Sequence, residues 1–557
     1  MKRHTNPPVF VISAIVVIGF VLWGVFAPSS VSDASSAANS FITKNFEWLY
    51  ILSATFFVIF ALVLAFSRYG TIRLGPPDSR PEYSTLAWFA MLFTAGMGIG
   101  LVYYAVSEPI THFQSPPTGE GSTPAAAERA MNYTFFHWGV HPWAVYIVLG
   151  LALGYFAFRK GLPLRPAAAL YPLIGERIYG WMGNTVDILA VFGTLFGLAT
   201  SLGLGGSQVG AGLETLFGIE NNAYLQVGII LLITAVAVVS VMVGIDKGIR
   251  NLSLINLWLA FALMLFVFFF GPSLDLLNTL ASNVGYYLQH LPQMSFETFP
   301  GNADAQEWQA GWTLFYWGWW IAWSPFVGMF IARISYGRTI RNFIVGAMFA
   351  PVGASFVWLS VFGNSALQKL LADPSNDLAE AGTNTAMFTL IEQLPVGDIF
   401  AMLASVLAIV VVVLFFATSS DSGSLVVDIL TNGGDPNPKW QQRLFWAVTE
   451  GVVAAVLLAA GAVTGADALS ALQAASIVTG LPFCIVLLLM CVGIGKALAG
   501  ERLTPGAEEP GPMSGLRQSY VRVPAAAGAR SEDSESDAEQ DSTGSSGEKG
   551  TSTSSGA

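Results

Sequence analysis

Long apolar stretches alternate with short polar connections along the chain, and the apolar stretches set its architecture. Twelve of them hold about 20 predominantly apolar residues, the length an α-helix needs to cross about 30 Å of hydrocarbon. They begin near Val9, Phe46, Ser84, Met131, Trp181, Tyr224, Leu252, Gly311, Asn342, Ile399, Leu444 and Leu469. The pattern predicts an all-α polytopic membrane protein with 12 transmembrane helices. The first stretch is followed by APSSVSDASSAANS and then by another apolar helix, so it reads as a retained span rather than a cleaved leader. The expected organisation is a short N-terminus (1–8), two N-terminal spans (9–67), spans three to seven (84–272), an external connection with an amphipathic helix (273–310), spans eight to twelve (311–497) and a polar tail (501–557). A second external connection, about 364–398, is also long enough for a surface helix.

The basic residues orient this arrangement. With the N-terminus in the cytoplasm, 22 of the 25 Lys and Arg fall on the cytoplasmic side, and only Lys44, Arg129 and Lys369 fall outside. Both termini are then cytoplasmic, and the protein is expected in the cell (inner) membrane. Only 11% of residues are charged, against about 25% in a soluble domain. A net charge of −11 without a run of Lys or Arg argues against a nucleic-acid partner. Residues 501–557 hold ten acidic and five basic residues, with no aromatic after Tyr520, and such a segment cannot bury enough apolar surface to order itself. Cys484 and Cys491 are too few for a disulfide framework or a four-ligand metal site. Among the five histidines, only His137 and His141 are spaced i, i+4, without an HExxH context, so the chain is not expected to be an enzyme.

Candidate chemistry lies inside the spans. WTLFYWGWWIAWSPF places Trp312, Trp317, Trp319, Trp320 and Trp323 on one helix; Trp312, Tyr316, Trp319 and Trp323 share a stripe, with Trp320 on its flank. Packing and a ligand cage both remain open readings of that stripe. FFHWGVHPWAVY puts Trp138, Trp143 and Tyr146 within half a turn if the helix continues through Pro142. Two such faces suit a quaternary ammonium, which donates no strong hydrogen bond and is held by ring faces at about 0.5–2 kcal/mol per contact. Gly96, Gly98 and Gly100 in FTAGMGIGL serve close packing of the GxxxG kind, an unwound segment that exposes backbone dipoles, or both. Thr418 and Ser419 in LFFATSSDSGS either bond back to their own helix or face a cation. Asp187 and Asp421 are taken as the acids nearest the spans and are expected to be helix caps.

In this order, GMGIGL, FHWGVHPWAVY, YWGWWIAWSPFVGMFIARISYGRTIR and FFATSSDS resemble the betaine/carnitine/choline transporter family over about residues 5–500. The resemblance implies a LeuT-like fold, a 5+5 inverted repeat (spans three to seven and eight to twelve) preceded by two extra helices, and a homotrimer. It implies an aromatic box of Trp138, Trp143, Tyr146, Trp319, Trp320 and Trp323 around a trimethylammonium group, with Gly96, Met97, Gly98, Ile99 and Gly100 facing the substrate. Sodium, the coupling ion, would be held by Thr94, Met97, Phe415, Thr418 and Ser419. A second sodium site is in doubt, because Thr194 and Phe326 are present but Leu198 stands where the family carries a second threonine. Gly100 stands where choline-specific relatives tend to carry Asp, which favours a zwitterion. The implied function is import of glycine betaine or a related compatible solute by sodium symport, for osmoprotection. The alternatives are a sodium-independent carnitine- or betaine-type antiporter, or choline, ectoine or proline as main substrate. Osmosensing relatives end in a basic helix, which the acidic tail here does not match.

Overall fold

The computed structural model describes residues 6–501 apart from 97, 244–245, 436–439 and 464–469, and side chains there outside 93–96, 240–253 and 463. The expected acidic tail from Arg502 onward and the Met97 position lie outside the described residues, as do the Thr94 side chain and the surroundings of Gly96. The helices are α1 (Pro7–Phe26), α2 (Pro28–Phe66), α3 (Thr85–Gly96), α4 (Ile99–Gln114), α5 (Pro124–Trp138), α6 (Val140–Leu153), α7 (Tyr171–Ile174), α8 (Trp181–Phe217) and α9 (Ala223–Val243). They continue as α10 (Asp246–Phe270), α11 (Ser273–Met294), α12 (Ala303–Gln309), α13 (Phe315–Arg333), α14 (Ile340–Ala372), α15 (Ala386–Glu392), α16 (Asp398–Thr431), α17 (Trp440–Val463) and α18 (Ser470–Ala499). Among the described residues the one β pairing is an isolated bridge between Arg73 and Thr339.

Each predicted apolar stretch falls on helix. Eight helices are each long and apolar enough to cross a membrane, or nine if α10 and α11, which meet at 109°, count as one broken span. Outward-facing residues such as Ile15 and Phe26 on α1, Leu232 on α9 and Ile399 and Phe400 on α16 are mostly exposed and apolar. An exposed apolar belt of this extent has hydrocarbon as its solvent, and the chain is a multi-pass membrane protein.

Local chemistry sets the helix ends. Pro7, Pro28 and Pro124 occupy first turns, where their missing N–H costs nothing. The Thr123 and Thr339 hydroxyls accept the Ala126 and Asn342 amides and cap α5 and α14, each worth about 1 kcal/mol. At the other end of α8, Gly218 adopts φ 66° and its N–H donates to Glu214 O, a turn that glycine enters without steric cost. Because α2 starts at Pro28, most of the APSSVSDASSAANS segment is helical rather than a loop.

Two spans are broken, and the breaks lie at glycines. α3 ends at Gly96 and α4 starts at Ile99, with Gly98 extended between them (φ −121°, ψ 179°). α5 ends at Trp138 and α6 starts at Val140, so the expected continuous helix through Pro142 is corrected. Gly139 (φ −92°, ψ −138°) makes that break, and a Cβ there would overlap Phe135 O and meet Tyr287 Oη at 2.6 Å. Pro142 then lies in the first turn of α6, where it breaks no hydrogen bond. α13 packs on α6, α8 and α18, and α16 packs on α8 and α17, which brings the broken segments to the centre of the bundle.

The expected caps are also corrected. Asp187 is fully buried, accepts Arg165 Nη1 at 3.0 Å and takes the Ala167 N–H of a neighbouring 3₁₀ turn. Asp421 lies inside α16, not at its end, and accepts Arg443 Nη2 at 2.7 Å. Both carboxylates lie deep enough that an ion pair is what makes their charge tolerable.

Just past α18, Glu501 is clasped by the far end of the fourth span. Arg159 Nε and Nη2 reach its two carboxylate oxygens at 2.9 Å each, Lys160 Nζ at 2.8 Å and Tyr155 Oη at 2.7 Å. Burial raises the Glu501 carboxyl, but these donors outweigh it and hold it at about 2. A carboxyl depressed in the fold contributes stability above its ordinary value of 4.5, and this is lost as pH falls toward 2. Charge-assisted hydrogen bonds contribute about 1.5–3 kcal/mol, so Glu501→Gln should raise amide exchange over Ala497–Glu501 by at least about tenfold at neutral pH. That excess should shrink between pH 4.5 and 2; equal exchange in both proteins at neutral pH would show that the clasp does not hold the helix end.

Candidate functional site

α13 carries the aromatic stripe inward. Its rings follow one another at 6.3 Å (Trp312–Tyr316), 6.1 Å (Tyr316–Trp319) and 6.3 Å (Trp319–Trp323), and Trp320 stacks on Trp319 at 4.7 Å and 14°. Trp138 meets Trp320 edge-on at 5.0 Å, and Tyr146 lies 6.3 Å from Trp320 and 5.6 Å from Trp143. Six of these residues, Trp138, Trp143, Tyr146, Trp319, Trp320 and Trp323, line a cavity of about 30 Å3 together with Gly98, Gly100, Leu101, Pro142 and Ser355. All six rings are largely buried. The other tryptophans of the stripe segment have packing roles: Trp312 lies against Tyr104 and His112, and Trp317 stacks on His141 at 5.4 Å and 17°. Within the stripe segment, Trp319, Trp320 and Trp323 line the cavity, and Trp312 and Trp317 pack against neighbouring rings.

Hydrogen bonds hold three of the six rings, Trp138, Trp319 and Trp320. Trp320 Nε1 donates to His137 O at 3.0 Å and Trp319 Nε1 to Gly197 O at 3.3 Å. Trp138 Nε1 donates to Glu108 Oε2 at 2.8 Å, and Tyr316 Oη donates to the same oxygen at 2.6 Å. Glu108 Oε1 takes His137 Nδ1 at 2.7 Å and His112 Nε2 at 3.3 Å. Four donors saturate a carboxylate, which only accepts. Those bonds assign the proton of His137 to Nδ1, and its Nε2 then accepts the Thr313 hydroxyl at 2.9 Å. Donor atoms of Glu108, His112 and His137 lie within 4.8 Å of one another, a spacing that a metal could also use. In the bonds given above, the two imidazoles and the carboxylate form one hydrogen-bond network.

Glycine makes room for the cage. A Cβ at Gly100 would overlap Trp319 and meet Trp138 Cη2 at 3.0 Å, and one at Gly197 would meet Trp323 Cδ1 at 2.6 Å. Gly98 is less constrained, with Trp323 at 3.6 Å, and Ile99 is buried at the start of α4. Of the expected segment, Gly98 and Gly100 line the cavity beside the break between α3 and α4, while Ile99 lies against Gly205 of α8.

The candidate sodium residues are placed less tightly. Phe415 is buried; Thr418 and Ser419 are half-buried, and the Thr418 hydroxyl bonds back to Leu414 O at 2.8 Å and Phe415 O at 3.2 Å. Ile99 and Phe416 both lie against Gly205 of α8, so this turn of α16 adjoins the α3/α4 break. Thr194 likewise bonds back to Ala190 O at 2.8 Å, Phe326 packs on Trp323 at 5.4 Å, and Leu198 fills the space over Gly423. Among the described residues, those three positions gather no set of oxygens.

Sequence reasoning missed Glu108 and His112 as parts of the site. Glu108 was legible: an acid with a histidine four residues on, in the middle of an apolar segment, is a functional candidate by position alone.

With this geometry in hand, comparison with known proteins is direct. Residues 8–503 match the family described as BCCT, betaine/carnitine/choline family transporter. The chain is 46% identical over 498 residues to a glycine betaine transporter of Acinetobacter baylyi, covering 89% of this chain and 74% of that one. It is 43% identical over 503 residues to the glycine betaine transporter OpuD of Bacillus subtilis, covering 90% and 96%. It is 41% identical over 507 residues to the osmo-dependent choline transporter BetT2 of Acinetobacter baylyi, covering 90% and 72%. The chain belongs to the betaine/carnitine/choline family of transporters.

Proposed function

We propose that this protein imports glycine betaine or a closely related zwitterionic compatible solute by sodium symport, in osmoprotection. The reading places it in the inner membrane with both termini cytoplasmic, as a 12-span LeuT-like protein that assembles as a homotrimer. The observation that carries the substrate class is the cage: six rings from α5, α6 and α13, all buried, with no charged side chain among the residues lining the cavity. Ring faces attract a cation that cannot donate hydrogen bonds, and dry surroundings strengthen that attraction. Glu108 adds to it from behind, because its charge is hydrogen-bonded to Trp138 and Tyr316 and biases both rings toward negative potential. The extended backbone at Gly98, where two helices break, offers dipoles to the substrate carboxylate. Relatives named for glycine betaine and, in one case, choline fit the same head group.

One observation favours the second reading, a sodium-independent exchanger: the Thr418 hydroxyl is turned to its own helix. The deciding experiment is uptake of labelled glycine betaine into proteoliposomes with and without an inward sodium gradient, with ectoine, proline, choline and carnitine as competitors. Sodium-driven accumulation supports symport; sodium-indifferent counterflow supports the exchanger and leaves the cage intact.

Three variants probe the parts separately. Trp320→Leu should weaken betaine binding at least about tenfold, the loss of one to two cation–π contacts, as read by tryptophan fluorescence titration. Gly100→Ala should weaken it comparably without unfolding the protein, because the added methyl displaces Trp319 rather than backbone; undiminished affinity would place the head group elsewhere. Thr418→Ala combined with Ser419→Ala should raise the sodium concentration for half-maximal uptake several-fold, and an unchanged sodium dependence would remove α16 from the ion's path.

A further inference from the structure

α16 and α17 meet in a second buried polar cluster that the cage does not use. Asp421 and Asp428 come from α16 and Arg443 and Glu450 from α17, and Asp421, Asp428 and Glu450 are buried. Glu450 lies ten residues into its helix, about 15 Å along it, and is inaccessible to solvent. Among the described residues of this cluster the one base is committed, since Arg443 Nη2 binds Asp421 at 2.7 Å. Asp428 takes Asn432 Nδ2 at 2.8 Å on one oxygen and has no partner on the other. Glu450 is more isolated: Ser420 Oγ is 3.5 Å from Oε2, and Oε1 has no partner. Asp421 and Arg443 are the charged groups that act on it.

The six helices packed on α17 add no further charge to Glu450. α1 has no ionisable side chain and α9 has only Tyr224, exposed at its start. On α2, Asp33, Lys44 and Glu47 precede Tyr50, whose hydroxyl is bound to Ile477 O. On α8, Asp187 is held by Arg165, and Glu214 lies in the last turn. α18 brings Cys484, Cys491 and Lys496, the last bound to Pro172 O. α16 contributes Asp421 and Asp428, already described, and Asp398, exposed at its start.

Three acids around one base cannot all be ionised in a dry helix interface. A metal ion would need several oxygens around it, and the single hydroxyl near Glu450 does not provide them. We propose that Glu450 is a proton-binding site between α16 and α17, occupied whenever these two helices are packed as they are here. If the two helices part during transport, the carboxylic acid gives its proton to water, leaving carboxylate and hydronium; repacking requires a proton to be taken back. Ser420 and Asp421 follow Thr418 and Ser419 directly on α16, so the proton site lies one turn from the residues expected to hold sodium.

Infrared spectroscopy of the full-length protein in lipid tests the site itself. At neutral pH the wild type should show a protonated-carboxyl C=O band that shifts in D2O, and Glu450→Gln should lose part of it; an unchanged band overturns the proposal. Glu450→Leu gives the same readout should the amide perturb folding. The transport arm rests on the betaine reading: wild-type uptake should fall several-fold as pH is raised, and Glu450→Gln, a fixed neutral mimic, should flatten that profile. An identical profile in both proteins overturns the link to transport. Absence of betaine uptake in the wild type counts against the substrate reading alone, because the infrared band still decides the proton site.

Discussion

The structure around the cavity depends on one buried charge, the carboxylate of Glu108. Three separate segments converge on it: α4 supplies Glu108 and His112, α5 supplies His137 and Trp138, and α13 supplies Tyr316. A charge at that depth is tolerable only if its lone pairs are all met, and four donors meet them. The requirement works in both directions. Moving any of the three helices strands either a carboxylate oxygen or a donor, so the network fixes Trp138 of the cage and the Tyr316 ring beside it.

Breaks in the helices are what let large rings and backbone share one small volume. Six aromatic side chains occupy space that continuous helices would fill with their own turns. Interrupting the third span at Gly98 and the fourth at Gly139 lets backbone approach where a side chain would collide, as the crowding of a Cβ at Gly100 and Gly139 shows. Freed N–H and C=O groups at such breaks are costly when they face lipid and useful when they line a cavity. The Gly98 break lies on the cavity wall.

Much of this was legible in the sequence, and the reasons differ by residue. Tryptophan and tyrosine at helical spacing point to a shared face because the α-helical period is rigid, so Trp138, Trp143, Tyr146, Trp319, Trp320 and Trp323 could be grouped before their contacts were known. Alternating glycines read as a weak point because their helix propensity is low. Periodicity alone could not place the break in the fourth span, since a proline in the first turn of a new helix looks the same in sequence as one inside a helix that continues. Nor could it separate cage from packing within the stripe, because Trp317 and Trp319 differ only in which neighbour the tertiary fold brings to them. The buried acids were the main loss: weighing acids by their nearness to span ends favoured Asp187 and Asp421 and passed over Glu108 and Glu450, which lie inside helices.

Those two overlooked acids represent opposite solutions to the same physical problem. Glu108 is surrounded by donors, so its cheapest state is the anion, and the surrounding helices are fixed by the bonds it accepts. Glu450 has one distant hydroxyl and an unpartnered oxygen, so its cheapest state is the neutral acid, and nothing but a proton completes it. A transporter needs both kinds of element. The binding site has to keep its shape whether or not substrate is present, which a saturated carboxylate enforces; if α16 and α17 part, the Arg443–Asp421 pair has to break, whereas the uncharged, weakly bonded contact of Glu450 with Ser420 adds little further cost. On this argument the rigid and mobile parts of the molecule are distinguished less by their sequence hydrophobicity than by how completely each buried acid is satisfied.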